Sequence, residues 1–299
     1  MSEQRDPNLG SYLKLIRPKQ WIKNLFVLAP LVFARELFDP SPLLLTLKAF
    51  AAFCLTASAV YILNDIADVK ADRVHPEKRL RPIASGRVSV RQAIGLLVLL
   101  LVGVTILVAG MDKRYLAILV TYFFLNVAYS FKLKETVLLD VFIVSAGFML
   151  RVLGGAFAID VVVSNWIVLC TLFISLFLGF AKRRAELVVH QGLGVTSERK
   201  VLTLYSAHFI DQMLTVTTAG AVISYALYTV APRTIEIFGT DKMIYTTVFV
   251  LYGMFRYLYL VHTAETTENP TNAVTSDATI MVTVLLWILT CIGLIYSKI

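Results

Sequence analysis

Apolar residues recur in blocks of roughly 17 to 25, the length an α-helix needs to cross about 30 Å of hydrocarbon. Nine blocks are read, near Ile22 to Phe38, Leu43 to Leu63, Ala93 to Ala109, Tyr115 to Phe131, Val137 to Phe157, Asn165 to Phe180, Met213 to Val230, Tyr245 to Val261 and Thr279 to Ile295. Helices satisfy their own backbone hydrogen bonds in lipid. The pattern therefore predicts an all-α polytopic membrane protein, a bundle of about nine transmembrane helices. Pro40 and Pro42 break the chain between the first two blocks, and Pro232 follows the seventh. The second and sixth blocks each end in a long charged loop, a weak two-fold echo without a sequence repeat.

Composition agrees with lipid exposure. The 299 residues are 58% hydrophobic and 16% charged, with a mean hydropathy of +0.74, more apolar material than one water-soluble core could hide. The net charge of +8 would suit a nucleic-acid partner on a soluble face. Here the basic residues flank apolar spans, so no nucleic acid is expected and membrane lipids are. Lys70, Arg73, Lys78, Arg79, Arg81, Arg87 and Arg91 crowd the second connection, and Lys182, Arg183, Arg184, Arg199 and Lys200 the sixth. The positive-inside rule makes those loops cytoplasmic. The N-terminus, with Lys14, Arg17, Lys19 and Lys23, falls on the same side and Lys298 on the other. The polar start lacks the apolar middle of a cleaved signal, so the first span is expected to stay as an anchor. Cys54, Cys170 and Cys291 lie in apolar spans without pairing or metal spacing. Gly147, Gly154 and Gly155 allow close helix packing, within one chain or between copies in a homo-oligomer.

The most specific chemistry follows the second apolar block, in Asn64-Asp65-Ile66-Ala67-Asp68-Val69-Lys70-Ala71-Asp72. On a helix Asp65, Asp68 and Asp72 share one face over two turns, with Asn64 one turn from Asp68. Such a cluster repels itself unless a cation intervenes. Hard oxygen ligands suit magnesium, which shares its shell with substrate phosphates. The bland alternative is an acidic helix end paired with neighbouring basic residues. Lys78, Arg79 and Arg81 follow in a loop with two prolines, within reach of a phosphate held there, or else anchored to anionic lipid. Trp21 and Lys23 read as an interfacial belt, although Lys23 and Asn24 sit inside the first span. Lys182 and Glu186 can pair across one helical turn. Asp140 and Arg151 are charges within the fifth span, which points to function unless mutual pairing explains them. Tyr129 and Lys134 lie at the end of the fourth.

With N-D-x-x-D-x-x-x-D at Asn64, Asp65, Asp68 and Asp72, the chain resembles the UbiA superfamily of intramembrane prenyltransferases, the likeness covering residues 1 to 299 as a single transmembrane domain. Prenyl-transferring members carry a second D-x-x-x-D motif after the sixth span. Here that region reads Ala181-Lys182-Arg183-Arg184-Ala185-Glu186. With Arg17 to Asn24 and Arg81-Pro82-Ile83-Ala84, it is similar to the branch that moves a phosphoribosyl group from phosphoribosyl pyrophosphate to decaprenyl phosphate. The resemblance implies a magnesium-dependent transferase of the inner membrane, its active site facing the cytoplasm. It implies that Asp65, Asp68 and Asp72 are catalytic and hold the metal. Lys23, Asn64, Lys78, Arg81, Tyr129, Lys134, Arg151, Lys182 and Glu186 are then the substrate-binding set. Two alternatives stay open: a UbiA-type prenyltransferase with an aromatic or glycerol-phosphate acceptor, and an anion transporter with the basic loops as its vestibule.

Overall fold

A computed structural model describes residues 9–75, 78–131, 133–193, 200–263 and 277–296. Arg199 and Lys298, named above, lie outside them. Among the described residues the chain is helical throughout, and eight helices are long and apolar enough to cross a membrane. The chain is a multi-span membrane protein. It divides into two compact units, residues 1–31, 37–131 and 150–161, and residues 32–36, 132–149 and 162–299.

The first unit begins with α1 (Leu9–Ile16). The apolar block that follows is not one long α-helix. Pro18–Leu28 winds as a 3-10 helix, then α2 (Ala29–Phe33) runs for five residues. Pro18 and Pro30 each lack an amide donor, and polar Lys23 and Asn24 interrupt the apolar run, which accounts for the broken element. The long span α3 (Pro40–Ala67) starts at Asp39, whose carboxylate accepts from Ser41 N at 3.1 Å, with Pro40 in the first turn. It ends at Asp68, and the short α4 (Val69–Val74) continues. Next come α5 (Val90–Val108), opened by a reciprocal Ser89–Gln92 capping box, and α6 (Lys113–Phe131). Ala49, Ala52, Phe53 and Ala57 of α3 pack with Val104 of α5 and Tyr115, Leu119 and Tyr122 of α6. A second cluster packs Leu15, Ile83, Val88 and Leu100 against Ala59 and Ile62. It holds α1 and the loop after α4 against the cytoplasm-predicted end of α3, where the acidic residues lie.

The span α7 (Leu139–Ala158) contributes residues to both units. Its Gly155 lies so close to the 3-10 segment that an added Cβ would stand 2.0 Å from the Val27 carbonyl oxygen. At Gly154 a Cβ would meet the Phe53 ring at 2.6 Å. These two glycines therefore serve packing within the chain.

In the second unit, α8 (Asn165–Leu193) packs on α9 (Ala207–Val230) through Leu176, Phe177, Phe180, Ile210 and Leu214. The short α10 (Pro232–Phe238) ends at Gly239 with φ of 67°, a left-handed cap that glycine takes without strain. Then follow α11 (Thr247–Thr263) and α12 (Ala278–Tyr296). Met281, Val282, Leu285 and Leu289 of α12 are exposed, as a lipid-facing surface requires.

Candidate active site

The sequence motif comes together at the junction of α3 and α4. Asp65 is 2% exposed and Asp72 3%, so each needs a partner if it is charged. Arg81 supplies one for both: Nη1 donates to Asp65 Oδ1 at 3.1 Å and to Asp72 Oδ2 at 2.8 Å. Arg17 is the second cation, donating through Nη2 to Asp65 Oδ1 at 2.6 Å. Its guanidinium also lies 5.0 Å from the Tyr61 ring centroid, within cation–π range.

Local structure explains both arginines. Arg17 has φ 56° and ψ 57°, and Pro18 after it disfavours a right-handed helical backbone there. That left-handed conformation ends α1 and starts the 3-10 segment. Arg81 opens a tight loop in which Ser85 N donates to Arg81 O at 2.9 Å and Val88 N to Pro82 O at 3.0 Å. Gly86, at φ 77°, makes its turn. Burial of Ile83 and Val88 then fixes the loop against α3.

Asp68 stands apart. It is the hinge residue, ending α3 and beginning α4, and among the described residues Arg17 and Arg81 bond to Asp65 and Asp72 and not to it. Among the described residues no group of three or more His, Cys, Asp or Glu side chains is gathered closely enough to hold a metal. The reason is Arg81, which occupies the space between Asp65 and Asp72. Even so, among the described residues Asp65 Oδ2 and Asn64 Oδ1 are buried oxygens with no hydrogen-bond partner. Unsatisfied buried acceptors call for a ligand, and two hard oxygens fit a magnesium ion.

Other predicted residues are placed as follows. Lys78 lies in a 3-10 turn, Lys78–Leu80, where its backbone N donates to His75 Nδ1 at 3.3 Å. Lys23 is half-buried in the 3-10 segment, Tyr129 half-buried on α6, and Lys134 half-buried in the turn Leu133–Glu135. Trp21 donates to Ser58 Oγ at 3.1 Å, so it docks on α3 instead of serving only as an interfacial belt. Arg151 is interior: Nε donates to Asn24 Oδ1 at 2.7 Å and Nη2 to Tyr122 OH at 2.8 Å.

The charges of the second unit form another cluster. Mutual pairing of Asp140 and Arg151 does not occur, because eleven helical residues separate them. Asp140, fully buried, instead accepts from Arg183 Nε at 2.6 Å and from Tyr205 OH at 2.7 Å. The Tyr205 oxygen accepts in turn from Leu138 N at 2.7 Å. Burial, and then the bond to Asp140, pushes the Tyr205 phenol above its ordinary value. Arg183 Nη1 also donates to Glu186 Oε2 at 2.5 Å. Lys182 Nζ lies 3.9 Å from Glu186 Oε1, the pairing expected across one turn.

Sequence reasoning missed Arg17 as a site residue, and missed the Asp140–Arg183–Tyr205 network. For the first, the available signal was the Arg17 to Asn24 segment, which carried the resemblance without singling out Arg17.

The chain is 37% identical over 239 residues to the decaprenyl-phosphate phosphoribosyltransferase of Mycolicibacterium smegmatis, covering 76% of this chain and 75% of that protein. To the enzyme of the same name from Corynebacterium glutamicum it is 39% identical over 222 residues, covering 72% of this chain and 66% of that one. A UbiA homologue from Archaeoglobus fulgidus, solved with GPP and Mg2+, superposes with a TM-score of 0.70 at 18% identity, over 95% of this chain and 99% of that one. The protein is a membrane-embedded transferase. A model of the UbiA prenyltransferase family matches residues 25–273, and the chain belongs to that family.

Proposed function

We propose that this protein transfers the 5-phosphoribosyl group of phosphoribosyl pyrophosphate to a polyprenyl phosphate and releases pyrophosphate, at the cytoplasmic face of the inner membrane. One observation carries the choice of donor and acceptor. Where a second carboxylate pair would bind a second metal, the α8 tail offers Lys182, Arg183 and Arg184, and its single acid, Glu186, is already tied to Arg183. Arg183 is sealed against Asp140 and Glu186 and Arg184 pairs with Asp211 at 2.8 Å, so Lys182, 42% exposed, is the cation of this tail placed to meet an anionic phosphate, and the similarity to the two phosphoribosyltransferases supports that reading.

In the reaction a lipid phosphate oxygen attacks C1 of the ribose, the bond from C1 to the pyrophosphate oxygen breaks, and pyrophosphate leaves with the electron pair. A phosphate monoester is already ionised near neutral pH, so the nucleophile requires no general base. The chain's work is alignment, neutralisation and exclusion of water. Asp65, Asp68, Asp72 and Asn64 would hold magnesium, which when bound would neutralise charge growing on the leaving group. Arg81, Lys78, Lys23 and Lys182 are the phosphate contacts in this reading. Tyr129, Lys134, Arg151 and Glu186 complete the substrate set, and residues 1–299 act as one transmembrane domain.

The test supplies membranes containing the protein with labelled phosphoribosyl pyrophosphate and polyprenyl phosphate. Magnesium-dependent label in the lipid fraction is expected. Unlabelled lipid, together with turnover of a prenyl diphosphate onto an aromatic acceptor, overturns the reading.

A further inference from the structure

We infer that Arg17 and Arg81 are built-in substitutes for the metal, so that divalent cation and diphosphate enter this site as one complex and not in sequence. The inference rests on the reading that the acidic site takes a metal-bound diphosphate. Arg81 lies between Asp65 and Asp72, the position a cation shared by those carboxylates would need, and Arg17 claims the same Asp65 oxygen.

Charge then sets the order of events. Two arginines balance two buried carboxylates. A bare divalent cation arriving here must displace guanidinium groups that would be left facing it without an anion, which a half-buried site resists. A metal-bound diphosphate brings both halves of the exchange: the cation takes the carboxylates, and the phosphate oxygens take the arginines, whose forked donors match them. Exposure shows which groups can move. The Arg17 and Arg81 side chains are 28% and 29% exposed, whereas those of Asp65 and Asp72 are 2% and 4% exposed. The arginines can swing and the acids cannot.

A further feature agrees. Among the described residues, Asp65 Oδ2 and Asn64 Oδ1 keep no hydrogen-bond partner in the arginine-paired arrangement, so that arrangement is incompletely satisfied.

The test titrates purified wild type, Arg81→Gln and Arg17→Gln with Mn2+, following bound metal by EPR, first alone and then with inorganic pyrophosphate. For wild type, Mn2+ alone should bind at least about tenfold more weakly than Mn2+ with pyrophosphate, a coupling of ordinary size that holds in both directions. Removing either arginine should reverse the ranking: Mn2+ alone binds more tightly than in wild type, and Mn2+ with pyrophosphate more weakly. A merely structural arginine would weaken both or neither. Wild type that holds Mn2+ alone as tightly as with pyrophosphate overturns the inference, whether or not the variants fold. Crossover in a protein that labels no lipid would tell against the donor assignment alone. Label transfer with tight binding of Mn2+ alone would tell against this inference alone.

Discussion

The Asp140–Arg183 pair shows how much one buried contact has to balance. Both side chains are nearly sealed from solvent, at 0% and 3% exposure, so each charge has given up its hydration and depends on the other. Removing one partner of such a pair costs about 3–5 kcal/mol, because the survivor is left buried and uncompensated. The two single substitutions are not equivalent here. Asp140→Asn leaves Arg183 with Glu186, while Arg183→Met leaves Asp140 with only the Tyr205 hydroxyl among the described residues. Thermal unfolding in detergent should therefore show a larger loss for Arg183→Met than for Asp140→Asn. The double variant should lose less than the two singles added together. Strictly additive losses would mean the pair contributes through packing alone.

Where α7 passes the 3-10 segment and α3 there is no room for a side chain at two glycines, and steric tolerance is set by what lies opposite. At Gly155 the obstacle is the Val27 carbonyl, part of the backbone, while at Gly154 it is the Phe53 ring, which can turn. Overpacking costs about 1–3 kcal/mol, more where backbone must shift. Gly155→Ala should thus lower the melting temperature clearly further than Gly154→Ala, and equal shifts would place the tight contact elsewhere. The same scale explains what could be read beforehand. Eight of the predicted spans correspond to helices because the length of an apolar run is a local property. The first block broke into 3-10 and α pieces because Pro30 lacks an amide donor and polar Lys23 and Asn24 interrupt the apolar run, a signal that its hydropathy masks. The acidic end of α3 was legible, since carboxylates directly after an apolar run are rare. Its partner Arg17 was not, because the pair joins residues 48 apart in the chain. Arg183 and Asp140 are 43 apart, and nothing local to either distinguishes that bond from solvated charge.

Orientation belongs to the molecule as a whole, because each span's direction follows from charge summed over all connections. Basic residues concentrate on one set of loops. On the opposite set, Arg114 is held by Asp112 at 3.0 Å and by Asp160 at 2.7 Å, so that cation is offset by two acids. Lys and Arg near span ends resist crossing the membrane, and the loop bearing Lys78, Arg79 and Arg81 should remain cytoplasmic together with the site it covers. The expectation can be checked in a background where Cys54, Cys170 and Cys291 are replaced. A single cysteine at exposed Ser85, in the loop after α4, should react with a membrane-impermeant maleimide in inside-out vesicles and stay unlabelled in intact cells. One at exposed Glu236, on α10, should do the reverse. Labelling of both from the same side would require an even number of crossings between α4 and α10, in place of the five that α5 to α9 supply. Labelling of Ser85→Cys from outside would put the acidic cluster on the face opposite to the one proposed for the reaction.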